Sequence, residues 1–147
     1  MRFSLQVQYA ICALFDLAYN GHDEPLQVRI ISERQEIPLR YLEQIFQRLR
    51  RAGLVASKRG PGGGYALARP ASDVSLREVI EAVEGPLGQA FEMPPAESSE
   101  ARPAFLWQVL AARLGRALEE TSLEVLCNEA VRARIPREEP ESPMYHI

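Results

Sequence analysis

The chain has 147 residues, of which 46% are hydrophobic and 25% are charged, and its formal net charge is -3 at pH 7. These values are typical of one soluble globular domain, and no apolar run approaches the roughly 18 residues that a membrane span needs. The N-terminus lacks the apolar segment and cleavage site of an export signal. Cys12 and Cys127 are too few and too far apart for a disulfide scaffold or a zinc site. We therefore expect a cytoplasmic protein.

The first half of the chain predicts three helices. Apolar residues recur at helical spacing on the first of them, which ends near Asn20-Gly21, at positions Val7, Ile11, Leu14 and Ala18. A short second helix is predicted over the segment LQVRIISERQ. The third is predicted from Pro38 to Ala52, because Pro is favoured in a first turn and Gly53 supplies the stop.

Residues 59–65, RGPGGGY, join two short alternating segments, LVASK and YALAR, which predicts a β-hairpin. A nucleotide-binding loop would lead from a strand into a helix and would end in Lys followed by Ser or Thr, and this loop does neither. Its glycines allow a tight tip and close approach to another surface, with Lys58 and Arg59 beside it. The hairpin therefore suits a DNA groove.

The second half predicts more helices and an acidic surface. A capping box at Ser75 to Glu78 opens a helix that stops at Gly85, and a second box is predicted at Thr121 to Glu124. Between them lie a linker, residues 86–103, and a longer helix with apolar residues at Leu106, Val109, Leu110, Leu114, Ala117 and Leu118. The tail from Pro136 is rich in Pro and Glu, which is typical of disorder.

Charge separates the two halves. Residues 85–147 hold six basic and ten acidic side chains, whereas residues 27–60 hold three acidic and eight basic ones: Arg29, Arg34, Arg40, Arg48, Arg50, Arg51, Lys58 and Arg59. Helices, a basic helix and a basic hairpin in this order predict a mainly α fold with a small β-hairpin, the winged helix-turn-helix of DNA-binding proteins. The alternative is a solvated charged face beside a flexible hairpin.

Nothing in the chain indicates catalysis. The Ser, Thr and His residues form no spaced nucleophile and base, since His22 and His146 lie near opposite ends of the chain. We predict that the protein is not an enzyme.

The segment YLEQIFQRLRRAGLVASKRGPGGGY, with REVIEAVEG after it, resembles the winged-helix repressor family that includes the iron-sulfur cluster regulator IscR and the cysteine metabolism repressor CymR. The resemblance covers residues 1–85 and implies homodimers that bind pseudo-palindromic double-stranded DNA. We accordingly divide the chain into a DNA-binding domain (1–85), a linker (86–103), dimerisation helices (104–135) and a flexible tail (136–147). The implied dimer contacts are Leu106, Trp107, Leu110, Leu114 and Leu118.

The resemblance also implies the DNA contacts. Residues expected to face bases, phosphates or the minor groove are Arg40, Tyr41, Glu43, Gln44, Arg50, Lys58, Arg59 and Gly62. Among them, a carboxylate at Glu43 can accept from cytosine N4 and repels phosphates, so it confers specificity by exclusion. The alternative for Glu43 is an intrahelical ion pair with Arg40 or Arg50.

Cluster-binding members of that family carry three cysteines, and often a histidine, between the fourth helix and the long helix. Here the corresponding residues 85–105, GPLGQAFEMPPAESSEARPAF, contain neither. Thiolate ligands for an iron-sulfur cluster are therefore missing from this segment, and we expect no cofactor.

The C-terminal half is more similar to the cluster-free CymR type, because it has EGP after the fourth helix, Trp107 in the long helix, and the ending Met144-Tyr145-His146-Ile147. The resemblance implies a complex with cysteine synthase, whose active site accepts a C-terminal Ile carboxylate through backbone N–H groups and an apolar pocket. Alternatively, these four residues are a frayed end or pack on the dimer helix.

Two other regulatory roles stay open at the level of sequence. The protein could sense redox state through Cys12 or Cys127, or a small molecule between its two parts. It could also be a regulatory subunit that acts mainly by protein interaction.

Overall fold

The structure is a computed structural model that describes residues 3–21, 24–91 and 103–138. Six α-helices and one hairpin follow each other in the order α1 (Leu5–Asn20), α2 (Val28–Gln35), α3 (Leu39–Arg51), β1 (Val55–Lys58), β2 (Gly64–Leu67), α4 (Leu76–Glu84), α5 (Phe105–Glu119) and α6 (Leu123–Arg132). The expected fold class, mainly α with a small hairpin, is confirmed. Within the described ranges, every helix is too short or too polar to cross a membrane.

Helix α1 is the centre of the fold, since it packs against α2, α3, α4 and α6. One face carries small residues and leucines that are buried, among them Val7, Ala10, Ala13, Leu14 and Leu17. The small side chains let the neighbouring helices approach closely, so apolar residues of four helices are removed from water around α1.

The ends of the third helix explain how the chain passes into the hairpin. Pro38 is the N-cap, so the helix starts one residue later than the sequence predicts. At the other end Gly53 has φ +76° and donates to the Arg50 oxygen, and the N–H of Leu54 donates to Leu49, which together form a Schellman motif. Leu54 then turns inward and leads the chain into β1.

The second predicted capping box, Thr121 to Glu124, is wrong. Ser122 is the N-cap of α6, and its side chain accepts from the N–H of Val125 at 3.2 Å. The Thr121 main-chain oxygen instead accepts from Leu76, and the Leu123 N–H donates to Val74. This pairing with a distant segment, which local sequence does not encode, sets where α6 begins.

Part of the predicted linker has regular structure. Residues Leu87–Phe91 form a short 3-10 helix that packs against α4 and α5, and Leu87 is buried. Helix α6 returns to α1. The C-terminal helices therefore share contacts with the first part of the chain, while the domain boundaries drawn from the sequence stay a prediction.

Candidate nucleic-acid interface

The turn between α2 and α3 fixes the angle at which α3 leaves the core. Glu36 ends α2 in the left-handed region, at φ 53°, and the next residue, Ile37, is 3% exposed. The Ile37 N–H donates to the main-chain oxygen of Ser32, whose hydroxyl donates back to the Ile37 oxygen. A buried apolar anchor and two hydrogen bonds thus hold the short turn of a helix-turn-helix.

Helix α3 presents two different faces. Its buried side chains are Leu42, Ile45, Phe46 and Leu49. Its exposed face carries five of the residues expected at DNA, namely Arg40, Tyr41, Glu43, Gln44 and Arg50. Such a helix, attached by one apolar stripe and polar on the other side, can enter a major groove without losing its packing.

Two neighbours near the start of α3 organise each other. The Arg40 guanidinium donates to the Tyr41 hydroxyl at 3.1 Å and lies 4.9 Å from the centre of its ring. This cation–π contact restrains both long side chains at the exposed face. Glu43 forms no ion pair in the described part of the chain, so its alternative pairing with Arg40 or Arg50 is not observed.

The hairpin is an antiparallel pair with Val55 opposite Leu67 and Lys58 opposite Gly64. At its tip the N–H of Gly63 donates to the Gly60 oxygen at 2.8 Å, and Gly62 has φ +74°. Lys58 and Arg59 are exposed beside this tip. The wing predicted from RGPGGGY is present, with two cations at its edge.

The base of the wing is fixed to the rest of the domain. Leu26 and Tyr65 exchange two main-chain hydrogen bonds of 2.8 Å, which adds a third short strand segment before α2. A Cβ on Gly64 would lie 2.4 Å from the Leu26 oxygen, so this approach requires glycine. The Tyr65 ring also packs on Phe46 of α3, with centroids 4.7 Å apart. Helix α3 and the wing therefore form one continuous surface.

Three of the basic residues counted in the sequence face other protein groups. Arg29 pairs with Glu33 at 2.9 Å, and Arg34 pairs with Asp16 at 3.1 Å. Arg48 donates to Gln6 Oε1 at 2.9 Å and to a main-chain oxygen at 3.1 Å. The charge excess of residues 27–60 thus overstates the number of cations that are free of protein partners.

Sequence reasoning missed a buried polar cluster at the end of α1. Asp16 is 0% exposed, and its carboxylate accepts from Arg34 at 3.1 Å, from Gln35 at 2.9 Å and from Asn20 at 3.2 Å. The available indication was an acidic residue among the buried positions of an apolar helix, which requires a partner. The cluster connects α1 to α2, the first helix of the helix-turn-helix.

The residues expected at a dimer contact do not all lie on one free surface. Leu106, Trp107 and Leu110 are exposed on α5. Leu114 and Leu118 are half-buried, and Leu118 packs against the core of its own chain. The expected partner contacts Met144 to Ile147 lie outside the described residues.

The cysteines provide no reactive pair. Cys12 is exposed on α1 and Cys127 is half-buried on α6. Partial desolvation by neighbouring groups raises the pKa of both thiols, including that of Cys12, whose residue surface is still largely exposed, and this is opposite to the shift that activates a thiolate. Within residues 3–21, 24–91 and 103–138, no three His, Cys, Asp or Glu side chains cluster as a metal site would require.

Known proteins resemble this chain in sequence and in structure. A family model described as Rrf2, iron-dependent transcriptional regulator, matches residues 3–129. IscR of Photobacterium profundum is 52% identical over 84 residues, or 57% of this chain, and the match spans about half (49%) of that relative's length. IscR of Photorhabdus laumondii is 41% identical over 132 residues, 87% of this chain and 80% of that protein. The structure of CymR, the global cysteine regulator of B. subtilis, matches 88% of this chain and 98% of its own with a TM-score of 0.74 and 28% identity.

Proposed function

Because this chain belongs to the Rrf2 family of transcriptional regulators, we propose that it is a homodimeric repressor that binds a pseudo-palindromic DNA site through α3 and the wing. The observation that carries the proposal is the packing of these two elements on each other: the rings of Phe46 on α3 and Tyr65 in the wing are in contact, with centroids 4.7 Å apart. A helix and a hairpin held in this way can occupy a major groove and the adjacent minor groove together.

The exposed side chains divide into base readers and phosphate binders. Arg40, Tyr41, Glu43 and Gln44 are exposed near the start of α3, where a recognition helix reads base edges. Arg50 and Lys58 bind phosphates, which adds affinity without sequence information. Arg59, beside the tip at Gly62, enters the minor groove, where a narrow groove attracts a guanidinium.

A second copy of the chain covers the exposed face of α5. Phe105 is 60% exposed, Val109 is 51% exposed and Leu110 is 50% exposed, all on one helix. Apolar patches of this kind typically mark an interface, and a twofold dimer matches the symmetry of a palindromic site.

The repressor works without an iron-sulfur cluster. The whole chain contains two cysteines, one on α1 and one on α6, whereas such clusters are held by three or four ligands that are mostly thiolates. The donor set does not fit the group that the family description suggests.

Cysteine synthase is the partner that we propose for the tail ending in Ile147. The support is the similarity to CymR, a cysteine regulator, together with the apolar residues Met144, Tyr145 and Ile147 after a Pro- and Glu-rich segment. Calorimetric titration of the full-length chain, and of a version without residues 144–147, against cysteine synthase tests this. Binding by the full-length chain alone supports the complex, and equal heats from both versions contradict it.

The DNA-binding proposal is tested by letting the full-length chain select duplexes from a random-sequence pool. We expect pseudo-palindromic sites with half-sites about one helical turn, ~10 base pairs, or a multiple of it apart, bound by two chains per duplex in sedimentation. The variant Leu110→Glu is expected to sediment as a monomer and lose affinity, while Gln108→Glu adds the same charge to α5 and keeps both. A pool without enriched sequences would refute the proposal.

A further inference from the structure

The segment that follows α6 folds back onto the end of α1. The Tyr19 hydroxyl donates to the main-chain oxygen of Ile135 at 2.5 Å. In the other direction, Arg137 Nε donates to the main-chain oxygen of Tyr19 at 3.2 Å. The Arg137 guanidinium also lies 4.5 Å from the centre of the Tyr19 ring, and the N–H of Glu138 donates to Asn20 Oδ1 at 2.8 Å. We call residues 135–138 the C-terminal latch.

Asn20 links the latch to the buried carboxylate of Asp16. It is 8% exposed, and while its Oδ1 accepts from the latch, its Nδ2 donates to Asp16 at 3.2 Å. The Asp16 carboxylate accepts from Arg34 and Gln35 of α2, and α2 packs against α3. Successive hydrogen bonds therefore connect the latch to the helix-turn-helix without passing through the DNA-facing surface.

We propose that Tyr19, Asn20 and Arg137 are positioning residues for DNA binding, because the closed latch holds α2, and through it α3, in the orientation that fits the groove. The inference rests on the proposed function. When the latch opens, Asn20 Oδ1 loses its partner in a buried place, where an unpaired acceptor is costly. The amide reorients toward water, and Asp16 loses the α1 donor that helps to orient its carboxylate toward Arg34 and Gln35 of α2.

The coupling has a thermodynamic consequence for DNA affinity. With the latch open, α2 and α3 sample several orientations, and the fraction of chains competent to bind falls, so the apparent dissociation constant rises by the inverse of that fraction. No contact to DNA is removed. The number of phosphates neutralised, and hence the slope of log K against log salt, stays the same.

The experiment compares Tyr19→Phe, which removes one hydroxyl and no charge, with Arg137→Ala and the matched control Arg132→Ala. Arg132 pairs with Glu129 on its own helix at 2.8 Å, so the control removes the same charge nearby and leaves the latch closed. The probe is a fluorescent duplex that the wild-type chain has selected from a random pool. We expect both latch variants to bind it about three- to tenfold more weakly, with an unchanged salt slope.

Hydrogen exchange in the absence of DNA gives a second, independent readout. We expect faster exchange at the amides of α2 and α3 in both latch variants, with little change in α4 and in the control. Affinities within twofold of the control, or equally faster exchange throughout the chain, would overturn the proposal. A reduced salt slope for Arg137→Ala would also overturn it, by making that residue a phosphate contact. Failure of the wild-type chain to select any duplex refutes the proposed function instead, and the exchange readout still tests the latch.

Discussion

From the middle of α3, Arg48 reaches across to α4 and donates through Nη1 to the main-chain oxygen of Val83 at 3.1 Å. The same nitrogen donates to Gln6 Oε1 at 2.9 Å. One guanidinium thus joins α3 to the start of α1 and the end of α4.

Arg48→Ala should therefore lower stability more than DNA affinity. We expect the free energy of unfolding to fall by about 1 to 2 kcal/mol, as measured by urea unfolding, because hydrogen bonds of charged groups contribute about 1.5 to 3 kcal/mol and Arg48 is partly screened by solvent. The control, Arg51→Ala, removes the same charge from an exposed position of α3. If Arg48→Ala reduces the salt slope of DNA binding and leaves stability unchanged, Arg48 contacts phosphate instead.

Gly64→Ala should destabilise the fold at the base of the wing. Its added Cβ would lie 2.4 Å from the Leu26 oxygen, and φ at this position is +150°. Relief requires separating the two segments that Leu26 and Tyr65 pair, so we expect a cost of about 2 to 3 kcal/mol in thermal unfolding. Gly88→Ala, where a Cβ would meet no atom within 4 Å, should stay within about 1 kcal/mol of the wild type. Equal melting temperatures for the two variants would contradict this reading.

Removing the wing cations should change the salt dependence of DNA binding. Lys58→Ala should reduce the slope of log K against log salt by about 0.9, because its side chain neutralises one phosphate, and Arg59→Ala should also reduce the slope, because it removes a cation from the groove. Arg59→Ala should in addition lose affinity mainly at sites whose flanks are AT-rich. Arg132→Ala, far from the wing in sequence and paired on α6, is the control, and identical slopes for all three variants would exclude the wing from the interface.

Glu43→Gln should relax base preference and strengthen non-specific binding. The carboxylate is exposed on α3 without an ion partner in the described part of the chain, and loss of its charge removes repulsion from phosphates and from acceptor-only base edges. Selection from a random pool should show about tenfold weaker discrimination at one position of each half-site. The control Glu33→Gln makes the same change on α2, where Glu33 pairs with Arg29. An unaltered selected sequence would assign Glu43 no role in specificity.

Glu78 should make stability depend on acidic pH. Burial opposes its ionisation, but the Ser75 main-chain N–H and the Arg69 guanidinium more than offset this and hold the pKa of Glu78 below its ordinary value. A depressed pKa in the folded state contributes stability that is present above the ordinary pKa and is lost as the pH falls through the folded value. Between about pH 5 and about pH 3 the wild type should therefore lose more stability than Glu78→Gln. Glu84→Gln, on the exposed face of the same helix, should follow the wild type. If stability falls with pH in parallel for the wild type and both variants, protonation of Glu78 does not contribute to the loss.

The elements whose evidence was local could be predicted from the sequence. The apolar spacing of α3, Gly53 as its stop and the capping box at Ser75 all hold, because each depends on residues within one or two turns. The wing was equally predictable, since two short segments of alternating apolar and polar residues on either side of a run of glycines are typical of a β-hairpin.

The features that were missed depend on partners distant in sequence. The position of Ser122 as N-cap follows from its pairing with Ser75, and the burial of Asp16 follows from donors on α2. Asn20 meets the N–H of Glu138, 118 residues away. A sequence pattern shows that a polar residue lies on an apolar face, but its partner is decided by packing, which local propensity does not contain.

The ion pair that Arg34 forms with buried Asp16 bears on how such a regulator meets DNA of arbitrary sequence. The Arg34 side chain is 16% exposed and pairs with Asp16 at 3.1 Å, so its charge is already matched within the protein and adds little counterion release when the chain meets random DNA. Attraction to arbitrary sequence stays modest, each unproductive encounter is brief, and the molecule spends more of its time moving between sites. Non-specific binding should therefore be weaker than the eight basic side chains of residues 27–60 would give if all of them were free to meet phosphates.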